Sequence, residues 1–158
     1  MISVSPAEIS PKMCLQPGDV VFLAKGVRKF AYAFDELPEP TIASGYFFVV
    51  RSSQEVLPTY LAWYLNQEPA LQHYRRYGTS GARMPVVSRD GFGALPVPVP
   101  SLSTQKGIIE IDELAQREQS LLARLSEKKK TLATAACLQL AEQSNSLQIQ
   151  NIHERPTD

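Results

Sequence analysis

The stretch LPVPVPSLSTQ, from Leu95 to Gln105, divides the chain into two parts of different character. Three prolines alternate with apolar residues up to Pro100, and we call this part the proline segment. It predicts an extended edge, because proline fixes φ and has no N–H for a sheet ladder. Ser103 can then cap a helix through its hydroxyl, and only one glycine and no proline occur between Ser103 and Pro156. The sequence therefore predicts a compact domain followed by a long helix.

Composition and charge restrict the function classes only weakly. The chain of 158 residues supports one core of moderate size. Its 16 basic and 16 acidic residues cancel, so a DNA contact would have to come from a local basic patch or a larger assembly. Cys14 and Cys137 are far apart in the sequence, which favours two reduced thiols over a disulfide. Without a run of ~20 apolar residues or a signal-like N-terminus, the protein is predicted to be cytoplasmic and not to span a membrane.

The first half of the chain predicts strands. Gln16–Asp19 contains Pro-Gly, which suits the two central positions of a tight turn. Apolar, β-branched and aromatic residues then predict three strands, at Val20–Ala24, Phe30–Phe34 and Gly45–Val50.

Helical periodicity follows from Pro58 onward. Proline suits the first turn of a helix, so helices are predicted to begin at Pro58 and at Pro69. Beyond them the pattern predicts a loop, two short strands and a turn, at Gly78–Gly81, Met84–Val87, Ala94–Val99 and Gly91–Gly93, respectively. The fold class is therefore predicted as α+β: a small mixed domain over residues 1–102, followed by one long helix of coiled-coil type.

The long helix is predicted from Ser103 to about Gln143, about 60 Å at 1.5 Å per residue. Its apolar residues recur at spacings of three and four, which is typical of a helix that packs against another long helix. These predicted interface residues, which we call the stripe, are Ile108, Ile111, Ala115, Leu122, Leu125, Leu132 and Ala136. Glu118 and Lys129 interrupt the stripe, so the coiled coil is imperfect. Residues 144–158 lose the period and are predicted to form a flexible tail.

One basic cluster follows the second predicted helix and is a candidate contact with nucleic acid. Its residues are Arg75, Arg76, Thr79, Ser80, Arg83 and, just beyond, Arg89. Arginine forks can reach phosphates or guanine edges, and hydroxyls can add phosphate contacts. Taken alone, the cluster fits equally well a solvated helix end whose arginines compensate the helix dipole.

A second basic cluster, Lys25, Arg28 and Lys29, lies in the loop between the first two predicted strands. A solvated hairpin turn is its favoured interpretation, and contact with DNA is the alternative. The aromatic side chains in the domain are predicted to be core rather than a base-stacking platform; they are Tyr46, Phe47, Phe48 and Trp63.

No sequence motif indicates catalysis, a cofactor or a metal ion. The two histidines, His73 and His153, are not part of a spaced Cys/His/Asp cluster. Thr79-Ser80 lies between glycines but lacks the Gly-x-Ser-x-Gly spacing, and neither a phosphate-binding nor a dinucleotide-binding glycine motif occurs. We therefore predict that the protein is not an enzyme and binds neither a cofactor nor a metal ion.

Several short patterns occur together in an order that is typical of one known family. A Pro-Gly-Asp strand start at Leu15–Asp19 and a Pro-x-Tyr-Leu helix start at Pro58 precede the Gly78-Thr79 loop. The proline segment with Gln105 and the apolar pair Ile108-Ile109 is the most specific piece. Together these residues resemble the specificity subunits of type I restriction–modification enzymes. In that family a target-recognition domain ends in such a segment and continues into a long spacer helix.

The resemblance covers most of residues 15–140 and implies a non-catalytic DNA sequence-recognition subunit. Methylation and cleavage belong to partner subunits in this family, so the implied partners are double-stranded DNA and methyltransferase or restriction subunits. It also favours DNA contact by the first basic cluster. Full specificity subunits hold two recognition domains and two antiparallel spacer helices, whereas this chain has one of each. The implied protein is a half-size subunit that pairs with another copy or with another specificity-type chain.

Two differences from the family pattern keep a second hypothesis open. The family's Glu-Gln pair is Thr104-Gln105 here. The Gly-Asp strand lies near the start of the sequence, so much of the N-terminal half of a recognition domain is expected to be missing. The alternative is a truncated recognition fold that acts as a protein-interaction or assembly-modulating module without DNA binding.

Overall fold

A three-stranded sheet precedes the helices in this computed structural model. The structure describes residues 14–37, 39–77 and 85–153, with side chains up to residue 142 except that of Tyr77. The chain divides into two units, Met1–Ile111 and Asp112–Asp158. The elements are β1 (Asp19–Leu23), β2 (Ala31–Ala33), β3 (Phe47–Arg51), α1 (Pro58–Leu65), α2 (Glu68–Tyr77), α3 (Arg89–Gly93) and α4 (Leu102–His153). The predicted α+β class with one long helix is confirmed.

The central strand β1 begins at the predicted turn and lies in an antiparallel sheet of order β2-β1-β3. The Asp19 N–H donates to the Gln16 carbonyl at 2.9 Å, and Gly18 has φ 86°, which glycine adopts without steric penalty. The buried Asp19 carboxylate accepts from the Gln16 N–H at 2.8 Å and from Arg51 Nε at 2.9 Å. This carboxylate therefore joins the turn to the end of β3.

The inner face of the sheet forms the core. Val20 and Phe22 lie on this face, because successive side chains of a strand point to opposite faces, and both are completely buried. The Phe22 ring centroid lies 4.7 Å from those of Tyr74 in α2 and Phe92 in α3. The buried cluster comprises Val20, Phe22, Ala24, Ala31, Leu61, Ala62, Leu65, Ala70, Tyr74 and Val87. Residues of all three short helices therefore pack onto this one face.

Asn66, directly after α1, closes the outer edge of β2. Its Oδ1 accepts from the Ala31 N–H at 2.8 Å, and its Nδ2 donates to the Ala31 carbonyl at 2.9 Å. Nδ2 also donates to the Ala62 carbonyl of α1 at 2.9 Å. Because an open edge strand can pair with other chains, this side chain both blocks the edge and fixes α1 to the sheet.

The predicted turn at Gly91–Gly93 is wrong, because these residues belong to helix α3. The side chain of Ser88 accepts from the Gly91 N–H at 3.0 Å and caps this helix. In the described part of the predicted strand at Met84–Val87, the structure has isolated bridge contacts instead of a strand. One of them joins Val86 to Lys25. Met84 itself lies outside the described residues.

The predicted strand at Ala94–Val99 is also wrong, because this segment forms no strand. Its backbone is held by side chains of α1 instead. The Tyr60 hydroxyl donates to the Pro98 carbonyl at 2.8 Å, and the Tyr64 hydroxyl donates to the Pro96 carbonyl at 3.2 Å. Alternate prolines offer carbonyls but no N–H, and tyrosines four positions apart share one helix face. The proline segment is thus fixed to α1 without a ladder.

Helix α4 begins one residue earlier than predicted and has a different cap. Ser101, not Ser103, precedes the helix, and its Oγ accepts from the Thr104 N–H at 3.2 Å. The helix continues to His153 rather than ending near Gln143. The flexibility that was predicted for residues 144–158 stays a prediction.

Gln105 ties the first turn of α4 to the loop before α1. It is completely buried, and its Oε1 accepts from the Leu57 N–H at 2.8 Å. Its Nε2 donates to the carbonyls of Glu55 and Pro100, both at 2.8 Å. A buried amide must satisfy these groups or lose stability, so Gln105 holds the first turn of α4 against the loop before α1.

Candidate nucleic-acid interface

The hairpin loop between β1 and β2 carries the second predicted basic cluster. Lys25 and Arg28 are exposed. Lys29 is different, because its Nζ donates to the carbonyls of Ala24 at 2.7 Å and Pro85 at 2.9 Å. Partial burial lowers the pKa of Lys29. Two of the three ammonium hydrogens are thus engaged, and Lys29 holds the loop in place while Lys25 and Arg28 face solvent.

The same loop packs against the segment that leads into α3. The Gly26 N–H donates to the Pro85 carbonyl at 3.1 Å, and the Val87 N–H donates to the Ala24 carbonyl at 2.9 Å. Arg89, which is exposed, begins α3 just beyond this contact. The structure therefore brings the chain beside Arg89 to the loop of Lys25 and Arg28. Thr79, Ser80 and Arg83 lie outside the described residues.

The two arginines near the end of α2 differ in their partners. Arg75 Nη1 lies 2.8 Å from Glu68 Oε1, and both side chains are largely exposed. Arg75 and Gln72 hold the pKa of Glu68 below its ordinary value through hydrogen bonds. Arg76 is exposed and is in no ion pair among the described residues. The charge of Arg75 is therefore partly compensated, whereas Arg76 has no such acidic partner among the described residues.

Two neighbouring side chains position α2 against the rest of this surface. Tyr74 is buried against Phe22, and burial raises its pKa. Its hydroxyl has no hydrogen-bond partner among the described residues. His73 Nε2 lies 2.7 Å from the Gly91 carbonyl; since a carbonyl only accepts, Nε2 carries the proton. These contacts link the end of α2, which carries Arg76, to the core. They also link it to α3, which carries Arg89.

The outer face of the sheet is more aromatic than the sequence prediction allowed. Tyr46 is 49% exposed, so its predicted core position is wrong, and the Lys25 ammonium lies 5.6 Å from its ring centroid. Phe48 packs against the core as predicted. Phe30 and Tyr32 are also substantially exposed. The sequence signal for this aromatic face is the alternation of Phe30, Tyr32 and Phe34, which places three rings on one side of a strand.

The stripe residues of α4 are exposed almost throughout. The exposed fractions are 70% for Ile111, 57% for Leu122, 49% for Leu125 and 71% for Leu132. Leu122 and Leu125 line a shallow groove of ≈ 340 Å³ with Leu114, Arg117, Glu118 and Leu121. Ile108 is only half-exposed and lies beside a second groove with Trp63 and Tyr64. The stripe prediction did not include Leu138 and Leu140, which are also exposed.

The residues that the structure describes contain no group of three or more His, Cys, Asp or Glu side chains that could hold a metal ion. Within the same residues, every helix is too short or too polar to cross a membrane. No protein-family model matches the chain, and no curated protein matches it.

Proposed function

We propose that this protein is a non-catalytic DNA-recognition subunit of the type I restriction–modification kind, paired through α4. The observation that carries the proposal is the exposed stripe of α4, which follows an α+β domain with several exposed basic side chains. Leu122, Leu125 and Leu132 would each lose ~1.5–3 kcal/mol of burial free energy if they stayed in water. A long helix with such a face is typical of a chain that works as one member of a pair.

The exposed basic side chains support contact with DNA rather than with an acidic small molecule. Lys25, Arg28, Arg76 and Arg89 are exposed side chains on three different elements. Positive charges spread over several elements suit an extended anionic partner. Phosphate contacts of this kind supply sequence-independent affinity, and base contacts add specificity.

Salt-dependent duplex binding tests this proposal. We expect the parent chain to bind 30-base-pair duplexes, with affinity that falls steeply as salt increases. The triple variant Lys25→Ala, Arg28→Ala, Arg76→Ala should bind all sequences more weakly. Its plot of log affinity against log salt should be shallower by about one unit for each phosphate that the variant no longer neutralises. Fluorescence anisotropy over a salt series gives both numbers.

A matched control removes an arginine elsewhere. Arg124 is exposed on α4 outside the stripe, so Arg124→Ala should bind duplex DNA like the parent. A parent that binds no duplex at low salt would contradict DNA recognition. Equal losses in Arg124→Ala and in the triple variant would instead mean that only net charge matters.

The alternative, a protein-interaction module without DNA binding, is favoured by the outer face of the sheet. Phe30, Tyr32 and Val49 are all more than two-fifths exposed, and aromatic side chains are enriched at protein interfaces. If the alternative holds, the triple variant above keeps its complex with methyltransferase subunits while duplex binding is absent in parent and variant alike.

A further inference from the structure

Three exposed side chains follow one another from the hairpin loop into β2, and we call them the exposed row. They are Arg28, Phe30 and Tyr32, which are spaced by two residues. The rings are 43% and 59% exposed, respectively. The Leu23 N–H donates to the Phe30 carbonyl at 2.9 Å, so the extended pairing with β1 includes Phe30. Residues spaced by two along a strand point to one side, about 6.8 Å apart, so the row presents two neighbouring rings beside a cation.

Both rings of the row are held by a neighbouring ring and are not covered by it. The Phe30 centroid lies 6.1 Å from that of Phe47, with the ring planes 73° apart. The Tyr32 centroid lies 5.0 Å from that of Phe34, with the planes 76° apart. These are edge-to-face contacts, which fix a ring without burying it between two others. A fixed and exposed ring is a surface on which a planar base can stack.

The backbone beside the row is closed to another strand. The outward N–H and carbonyl of Ala31, which lies between the two rings, both bind the side chain of Asn66, at 2.8 Å and 2.9 Å. A peptide that adds a strand to a sheet needs such groups for its main-chain hydrogen bonds. An extended peptide therefore cannot pair with β2 here, and a partner of the row is held by side chains.

The charges around the row change sign along it. Lys25 and Arg28 are both exposed in the loop before Phe30. Cations beside exposed rings are the combination that binds single-stranded nucleic acid, whereas lysine is depleted at protein interfaces. Asp35 and Glu36 are exposed shortly after β2. An anionic strand is therefore attracted to the loop end of the row and repelled beyond its other end.

We propose that the exposed row binds a single-stranded nucleic acid, with unpaired bases stacked on Phe30 and Tyr32 and phosphates beside Lys25 and Arg28. The site goes beyond the proposed function, because the bases of a duplex are stacked on each other and do not reach the rings. Sheets that bind single strands stack two or three bases on exposed rings in this way. Because every base has a π face, such a site tolerates different sequences.

Fluorescence anisotropy with a labelled oligothymidine of about 12 nucleotides, a length that suits sites of this kind, tests the proposal. We expect the parent to bind at low salt and to lose affinity as salt increases. Phe30→Leu and Tyr32→Leu keep an apolar side chain but remove a ring, so each should weaken binding by about tenfold. Tyr32→Phe keeps the ring and should bind like the parent. Binding of the 30-base-pair duplex should be the same in all these variants.

Val49→Ala is the matched control, because Val49 is 43% exposed on the same face of the sheet but lies in β3. It should bind oligothymidine like the parent, and urea titrations that match the parent show that the variants are folded. A parent that binds no oligothymidine at low salt overturns the site, and so do leucine variants that bind like the parent. Equal losses of oligothymidine and duplex in the leucine variants overturn it as well.

Two further outcomes separate this site from its alternatives. Leucine variants that keep oligothymidine but lose a complex with a methyltransferase subunit would make the row a protein interface and overturn the proposal. A parent that binds oligothymidine through the rings but binds no duplex would support the site and contradict duplex recognition. Failure of one proposal is thus distinguished from failure of the other.

Discussion

Apolar side chains in the sheet and in α4 are treated in opposite ways. Phe22 in β1 is 0% exposed and contacts aromatic rings from two helices. Leu122 in α4 is 57% exposed. The inward face of β1 is covered by helices of the same chain. The apolar stripe of α4, which repeats every seven residues, has the spacing that packs against another long helix. The domain therefore completes its own core, whereas apolar side chains of the second unit stay exposed.

The largest effect is expected when charged side chains replace leucines of the exposed stripe of α4. We expect the double variant Leu122→Glu, Leu125→Glu to be monomeric at concentrations where the parent pairs. Each leucine contributes roughly 1.5–3 kcal/mol when buried, so the pair represents the centre of the interface. The control Ala123→Glu, Arg124→Glu adds the same residues off the stripe and should keep the parent's mass by sedimentation. Loss of mass in both variants would refute the assignment of the stripe.

The reverse test removes a ring from the buried face. Phe22→Ala should lower the free energy of unfolding of the domain by ~3–5 kcal/mol, because it leaves a cavity that rigid neighbours cannot fill. Phe30→Ala should have a much smaller effect, since Phe30 lies on the outer face and is 43% exposed. Urea titration followed by tryptophan fluorescence measures both. Equal losses would mean that the outer face is also a core.

A third test concerns the residue that connects the two regions. Gln105→Leu should lower the free energy of unfolding by about 1–3 kcal/mol, because the Leu57 N–H and the Glu55 carbonyl lose their partner in a buried place. The control is Gln116→Leu, whose amide donates to Asp112 at 2.6 Å on an exposed helix surface. That change should be nearly neutral. A similar loss for both variants would show that Gln105 contributes only as a helix residue.

Elements with a local period were predictable, and contacts between distant segments were not. The three strands, α1 and α2 follow from alternation or helical spacing over five or more residues. Helix α3 was missed because Gly91 and Gly93 suggest a turn, although Ser88 and Asp90 are a fitting cap and first-turn acid. The meeting of the Lys25 loop with Pro85 could not be predicted either, since no period links residues so far apart.

The candidate site shows the same division. The basic residues were recognised from composition alone, but their roles depend on neighbours that the sequence does not reveal. Lys29 is held by two carbonyls and Arg75 by Glu68, so two of the predicted DNA contacts have partners within the chain. Tyr46 was assigned to the core because aromatic residues are usually buried in small domains. Its position just before β3, at the end of the sheet, leaves it exposed instead.

The smallest effect is expected at the boundary between the domain and α4. Ser101→Ala should lower the free energy of unfolding by about 1 kcal/mol, because the Thr104 N–H loses its side-chain acceptor at the start of α4. Ser103→Ala should be close to neutral, since Ser103 lies inside the helix, where alanine has the higher propensity. Paired urea titrations compare the two serines directly. A larger loss for Ser103→Ala would favour Ser103 as the cap of α4, as the sequence predicted.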